Sequence, residues 1–256
     1  MFDEFVNELV SEYNIAKSKG APITQPSIPI LFFGDLINYL DSEVKIITVG
    51  LNPSHKEFPP DSRFSRFIGA DKLDMSSKLS EQDVISYLSA LNMYFHFNPY
   101  RKWFGSFEPI LNGLNSSYYP ENEANTVLHT DLCSPYATDI TWSKLNVRYR
   151  NVLRSPGIKI WHKLLEFLEP NIVLISVSER YLRTIKFRIN KWKTHTTIMN
   201  KDNGTPRAKP YTVKKAGMKI NDKKGYIVWG KAAQTPFGTL SKNIKKNLGK
   251  SLLDLL

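Results

Sequence analysis

The segment Val44-Lys45-Ile46-Ile47-Thr48-Val49-Gly50-Leu51-Asn52-Pro53-Ser54 constrains the fold of this chain more than any other. Strand propensity runs from Ile46 to Val49, because β-branched side chains fit a pleated, buried surface. Gly50 lets the backbone turn sharply and come close to a ligand. Pro53 fixes the loop that follows and removes a donor. In an open parallel α/β sheet, ligands sit beyond the carboxyl ends of strands, so the turn delivers Asn52 to the expected site. The plain alternative is an ordinary strand-to-loop turn in which the Asn52 amide bonds its own backbone.

Helical and extended patterns alternate along the rest of the chain. Apolar residues at helical spacing mark residues 2–17, and helices are also expected over 81–95, 103–114, 158–168, 178–187 and 239–255. Strands are expected at 44–50, 125–132, 171–176 and 225–230. Short strands separated by helices imply an α/β fold: three layers, α/β/α, around a central four-stranded, mainly parallel sheet. One domain covers residues 1–256, with a basic, loop-rich insert at about 188–224, which has room for a hairpin.

Charge narrows the choice of partner. The chain carries a net +11, and Arg180–Lys224 holds 14 Lys or Arg against Asp202 and Asp222, a net +12 in one window. Tyr181, Phe187, Trp192 and Tyr211 are interleaved with that charge. Such a block suits a phosphate backbone, where each neutralised phosphate releases counterions, although a solvated face has the same composition. No apolar run reaches the ~20 residues that a bilayer crossing needs, and the acidic N-terminus lacks a signal-peptide pattern. A cytoplasmic protein with no membrane partner is expected. Its one cysteine, Cys133, excludes an intramolecular disulfide and a four-cysteine cluster. The five histidines lie too far apart in sequence for zinc-ligand spacing, so neither a metal nor a cofactor is expected. A monomer is expected.

Four ordered segments resemble the uracil-DNA glycosylase superfamily. Gly50-Leu51-Asn52-Pro53-Ser54 is similar to its first motif, Gly-x-Asn-Pro in the mismatch-specific and single-strand-selective branches. Leu128-His129-Thr130-Asp131-Leu132 stands where the family has a strand ending in a base-reading Asn. Trp161 to Ser176 is similar to a helix and strand of that fold. Gln234-Thr235-Pro236-Phe237-Gly238-Thr239-Leu240-Ser241 stands where the family has a His-Pro-Ser-Pro-type loop that enters DNA. Together they span residues 44 to 243.

The resemblance implies a uracil-DNA-glycosylase-like fold and a monofunctional DNA glycosylase that hydrolyses the N-glycosidic bond of a flipped base. Cleavage passes through a sugar with oxocarbenium character, so a water must be placed and the leaving base stabilised. Asn52 would position the water, although an amide cannot take its proton as a carboxylate would. Gln234 stands at the family's catalytic His; it can donate a hydrogen bond but cannot carry charge. Gly50, Leu51, Pro53, Phe64 and Asp131 would form the base pocket, with Phe64 stacking on the base and Phe58 its alternate. Of Phe58, Phe64 and Phe67, two belong to the core on composition alone. Ser54, His55, Thr239, Ser241 and Lys242 would contact DNA, and Phe237 or Leu240 would be the apolar wedge. Lys242, Lys245 and Lys246 would join the basic block on one face, and Asp139 is the alternate base. An ionised Asp131 accepts hydrogen bonds only, which suits the N4 amino group of cytosine and repels the O4 of uracil. A bulky C5 substituent, such as the (glucosylated) hydroxymethyl group of some phage genomes, would spare the host's own cytosine. The implied activity is therefore an antiviral defence glycosylase in a bacterial cytosol or nucleoid. Its alternatives are a repair glycosylase for uracil or mismatched thymine, and an inactive nucleic-acid-binding member of the fold.

Overall fold

The computed structural model describes residues 2–119 and 123–256. Its strands are β1 (Ile46–Gly50), β2 (Ser116–Ser117), β3 (Asn125–Asp131), β4 (Ile172–Ile175), β5 (Lys193–Asn200), β6 (Pro206–Ile220) and β7 (Lys223–Gly230). They form one seven-stranded sheet in the order β2-β3-β1-β4-β7-β6-β5. The four expected strands are its contiguous centre, β3-β1-β4-β7. The fold is α/β as expected, but the sheet has seven strands rather than four. It is also mixed, since β5-β6 and β6-β7 pair antiparallel whereas β1-β4, β4-β7 and β2-β3 pair parallel.

Burial explains the centre. Every residue of β1, β3 and β4 is buried. Covering both faces of a strand demands the near-continuous apolar runs of Ile46–Val49 and Ile172–Ile175. Each fully buried Ile, Leu or Val contributes roughly 1.5–3 kcal/mol. Parallel register sets Val49 beside Ile175 and Ile175 beside Trp229, so the carboxyl ends of β1, β4 and β7 are level.

The helices are α1 (Phe2–Ser18), α2 (Leu36–Asp41), α3 (Glu81–Asn92), α4 (Arg101–Phe104), α5 (Glu108–Gly113), α6 (Val147–Leu168) and α7 (Lys242–Leu252). α3 begins in a capping box, with Ser80 Oγ accepting from Asp83 N and the Asp83 carboxylate accepting from Ser80 N. The expected helix at 103–114 is two short ones, and residues 178–187 hold a 3-10 turn at Glu179–Thr184. α6 starts eleven residues earlier than expected and runs through Pro156. Ser155-Pro156-Gly157 reads locally as a break. Gly157 belongs to this helix because a Cβ there would lie 2.2 Å from the carbonyl oxygen of Cys133.

Two compact units emerge, one of residues 1–35, 50–100 and 129–164, the other of 36–49, 101–128 and 165–256. In the second unit α5 and α7 pack backbone to backbone. A Cβ on Gly249 would lie 2.1 Å from Ile110 O, and one on Gly113 would lie 2.2 Å from Lys246 O. The basic insert belongs to this unit and is ordered: β5 and the first half of β6 form an antiparallel hairpin with an exposed turn at residues 201–205.

Gly249→Ala should force α5 and α7 apart and lower stability by about 1–3 kcal/mol, the usual cost of overpacking. Urea unfolding of the two proteins checks this, and equal midpoints would refute the packing argument.

Candidate active site

The carboxyl ends of β1 and β3 come together in the first unit. Leu132 N donates to Gly50 O at 3.1 Å, and Cys133 N donates to Leu51 O at 2.9 Å. Gly50 is buried, and a Cβ on it would lie 2.5 Å from Asp131 Oδ1 and 3.2 Å from His129 Nε2. Only glycine leaves room there, so the approach that Gly50 permits is made by Asp131 and His129 themselves.

The loop after Gly50 is tied down through Asn52. Its Nδ2 donates to Pro53 O at 2.9 Å and to Thr138 Oγ1 at 2.9 Å, with Tyr136 O at 3.4 Å. Thr138 Oγ1 in turn donates to Ile140 O at 2.8 Å. Three acceptors on Nδ2 fix the amide plane. The half-buried side chain keeps its Oδ1 without a protein donor among the described residues. The turn-stabilising reading of Asn52 and the water-positioning one therefore use opposite ends of the same amide. Leu51 is half-buried and Pro53 buried. Ser54 caps the 3-10 turn His55–Glu57 by accepting from Lys56 N, and His55 is exposed.

That turn delivers a residue to which the sequence pattern does not point. Glu57 is 3% exposed and accepts a hydrogen bond from Tyr94 Oη at 2.5 Å, with Arg66 Nε at 4.0 Å from Oε2. Burial pushes its carboxyl up to about 7, and the nearby Asp131 adds to that, while Tyr94 and Arg66 hold it down. Asp131, at the end of β3, is also buried, with Oδ1 3.8 Å from His129 Nε2. Burial raises its pKa and His129 draws it back. An Asp in this setting holds its proton more readily than one in water, and the protonated form donates as well as accepts.

Aromatic rings pack against Tyr94 and His129, the residues beside these two carboxyls. Phe58 and Phe67 are buried and stack at 5.2 Å, Phe33 lies 4.8 Å from Tyr94 and 5.6 Å from His129, and Phe64 meets Phe58 edge-on at 5.9 Å. Phe58 is thus core, and Phe64 is the half-buried member of the three. Asp139 is exposed, with its backbone N–H donating to Pro22 O.

The remaining candidates lie in the second unit, on the loop from Gly230 to Ser241. Gln234 is exposed at φ 62°, and its side chain makes no hydrogen bond among the described residues. Phe237 and Leu240 are not projecting wedges: they are 0% and 7% exposed. Phe237 fills the space over Gly230, where a Cβ would lie 2.1 Å from its ring, and its N–H donates to Ser176 Oγ. It holds φ 48°, a left-handed conformation unusual for a bulky residue. Thr239 and Lys242 are exposed at the loop's end, and Ser241 caps α7 by accepting from Ile244 N. Lys246 is exposed, but Lys245 is not on the surface with it. Its Nζ is buried, donating to Ser106 O, Ser106 Oγ and Pro236 O at 2.6–2.9 Å, and burial lowers its pKa to about 8.

No protein-family model matches the chain, and no curated protein or solved structure shows significant similarity to it. Among the described residues, no three His, Cys, Asp or Glu side chains are placed to hold a metal ion, and no helix is long and apolar enough to cross a membrane.

The Glu57 proton is held more tightly in the folded protein than in the unfolded chain. Its contribution to stability is complete below the ordinary 4.5 and is lost as pH rises through about 7. Wild type should therefore lose up to a few kcal/mol relative to Glu57→Gln between pH 5 and 8, since each tenfold change in proton affinity is worth about 1.4 kcal/mol. Urea midpoints across that range measure it, and parallel pH profiles would refute the assignment.

Proposed function

We propose that this protein is a monofunctional DNA glycosylase with the three-layer, uracil-DNA-glycosylase-like arrangement. It would hydrolyse the bond between C1′ and the ring nitrogen of a base turned out of duplex DNA. The observation that carries this reading is the Asn52 clamp: an amide locked by its nitrogen at the carboxyl end of β1, with Oδ1 left over to accept from a water. As the glycosidic bond breaks, its electron pair leaves with the base, and the sugar gains oxocarbenium character. The oriented water adds its oxygen to C1′, and its proton is released as the new C–O bond forms, ending on the base or in solvent. A dissociative path of this kind needs a placed water more than a strong base, so an amide suffices.

Asp131 is the proposed base-reading group, and its charge state sets the substrate. Ionised, it accepts from the N4 amino group of a cytosine. A (glucosylated) 5-hydroxymethylcytosine in phage DNA, attacked as a defence activity, is then the favoured target. The raised pKa of Asp131 supports a second reading. Protonated, its O–H donates to O4 and its carbonyl accepts from N3–H, the pattern of uracil or mismatched thymine. On either reading DNA is the partner.

Asn52→Ala should lower base release by ~10²-fold or more while the protein still folds and binds DNA. Abasic-site formation on duplexes containing uracil, a thymine mismatch, cytosine, 5-hydroxymethylcytosine and its glucosylated form measures this. Asp131→Asn should shift preference towards uracil. Full activity in Asn52→Ala, or no base released from any duplex by wild type, would overturn the glycosylase reading. Wild-type release confined to uracil or thymine would select the second substrate.

A further inference from the structure

We infer that the β5-β6 hairpin is a DNA-binding ribbon that enters the major groove of duplex DNA. This builds on the proposal that DNA is the partner, but it concerns an element separate from the base pocket.

The register shows why the hairpin is a ribbon rather than part of the sheet's body. β7 pairs with β6 only from Val213, opposite Gly230, to Ile220. From Pro206 to Thr212, β6 pairs with β5 and not with β7, at Thr212 and Tyr211 and again at Pro206, with an irregular stretch between. Seven residues at about 3.3 Å each make an overhang of roughly 20 Å. It leaves the sheet where β7 ends, and that end is level with the carboxyl ends of β1 and β4. In sheets of this class that edge is the ligand-binding edge. The ribbon therefore projects from the carboxyl edge of β4 and β7.

The chemistry of the ribbon fits nucleic acid. From Lys193 to Lys215 there are six Lys or Arg and one acid, Asp202. That acid is engaged, since Asp202 Oδ2 accepts from Asn243 Nδ2 at 3.1 Å. Lys201 at the turn and Lys209 on β6 are exposed. Arg207 and Lys209 lie in the irregular stretch of β6 between the Ile198–Tyr211 and Asn200–Pro206 pairs. Tyr211 roots the ribbon by donating to Lys231 O at 2.6 Å, and Arg207 braces it by donating to Thr239 O at 2.8 Å. The uncharged residues of this half of β6 are small, Pro206, Ala208, Pro210 and Thr212, with Thr197 directly across from Thr212. Neither face of this half of β6 offers the broad apolar surface that a membrane would need. Two strands about 4.8 Å apart fit a major groove about 12 Å wide and 8.5 Å deep. These small residues leave the ribbon slim enough to approach the groove floor while the cations reach the phosphates on either side. Both bracing contacts are made without DNA, so little ordering entropy remains to oppose binding.

The test is equilibrium binding of the whole protein to a plain duplex, followed by fluorescence anisotropy across a salt series. Lys201→Ala/Lys209→Ala should lower the slope of log K against log salt by about 0.9 for each phosphate that is no longer neutralised, up to ~2. Lys72→Ala/Lys78→Ala, which removes the same charge from the first unit, should leave the slope unchanged. Guanine N7 methylation, in the major groove, should interfere with binding, and adenine N3 methylation, in the minor groove, should not. A wild-type slope in the ribbon variant, equal losses in the two double variants, interference from N3 alone, or tighter binding to single strands than to duplex would each overturn the inference. No base release is needed for these measurements. The ribbon can therefore fail while Asn52-dependent excision stands, and excision can fail while the ribbon binds.

Discussion

Two side-chain amides set the level of the central strands, and the geometry of the carboxyl edge depends on them. Asn125, which opens β3, accepts from Val44 N at 3.0 Å, and Asn171, just before β4, accepts from Lys45 N at 2.9 Å. The residues leading into β1 are thereby fixed to the starts of both its neighbours. In a parallel sheet, strands that start level and run straight end level. A slip of one residue would turn every side chain of β1 to the other face, and with Ile46 and Ile47 both at 0% exposure the core tolerates no such slip. Val49, Ile175 and Trp229 reach the edge in step for this reason.

Charge gathers where water is scarce. Glu57 and Asp131 are buried carboxyls, and Lys245 is a buried ammonium in the other unit, bonded to a hydroxyl and two carbonyl oxygens. Satisfied hydrogen bonds keep such groups tolerable, but none of the three is at its usual pKa. Lys245 has a structural use, since it joins Ser106 to the Pro236 carbonyl and so holds a loop containing two left-handed non-glycine residues, Gln234 and Phe237.

The central strands are legible in the sequence because burial on two faces leaves a run of apolar β-branched residues that little else produces. The hairpin is not, because its strands are largely exposed. Lys193-Thr194-His195-Thr196-Thr197 has no hydrophobic alternation, so only the pairing partner reveals it as a strand. The first half of α6 is hidden because Pro156-Gly157 is a break in isolation, and only the close approach to Cys133 explains the glycine. Asn52 and Asp131 stand out by their places at strand ends. Glu57 does not, since an acid among His55, Lys56 and Arg63 reads as surface charge. Its one sequence signal is its place between the Gly50-Ser54 turn and Phe58, where a 3-10 turn points one residue in three inward. The wedge residues mislead for the converse reason: Phe237 between Pro and Gly looks like a loop tip, but the strained turn folds it back onto Gly230.

The overhang of β6 beyond β7 separates what the hairpin does from what the fold requires. Its turn at residues 201–205 is exposed, and the five residues from Lys201 to Thr205 close on themselves through Lys201 N to Thr205 O and through Asn203 Oδ1. Residues added or removed in pairs at the tip would shift no buried side chain. The length and chemistry of the arm are therefore free to drift while the core stays fixed. A family of such chains could share one sheet and differ almost entirely in the reach of this single finger.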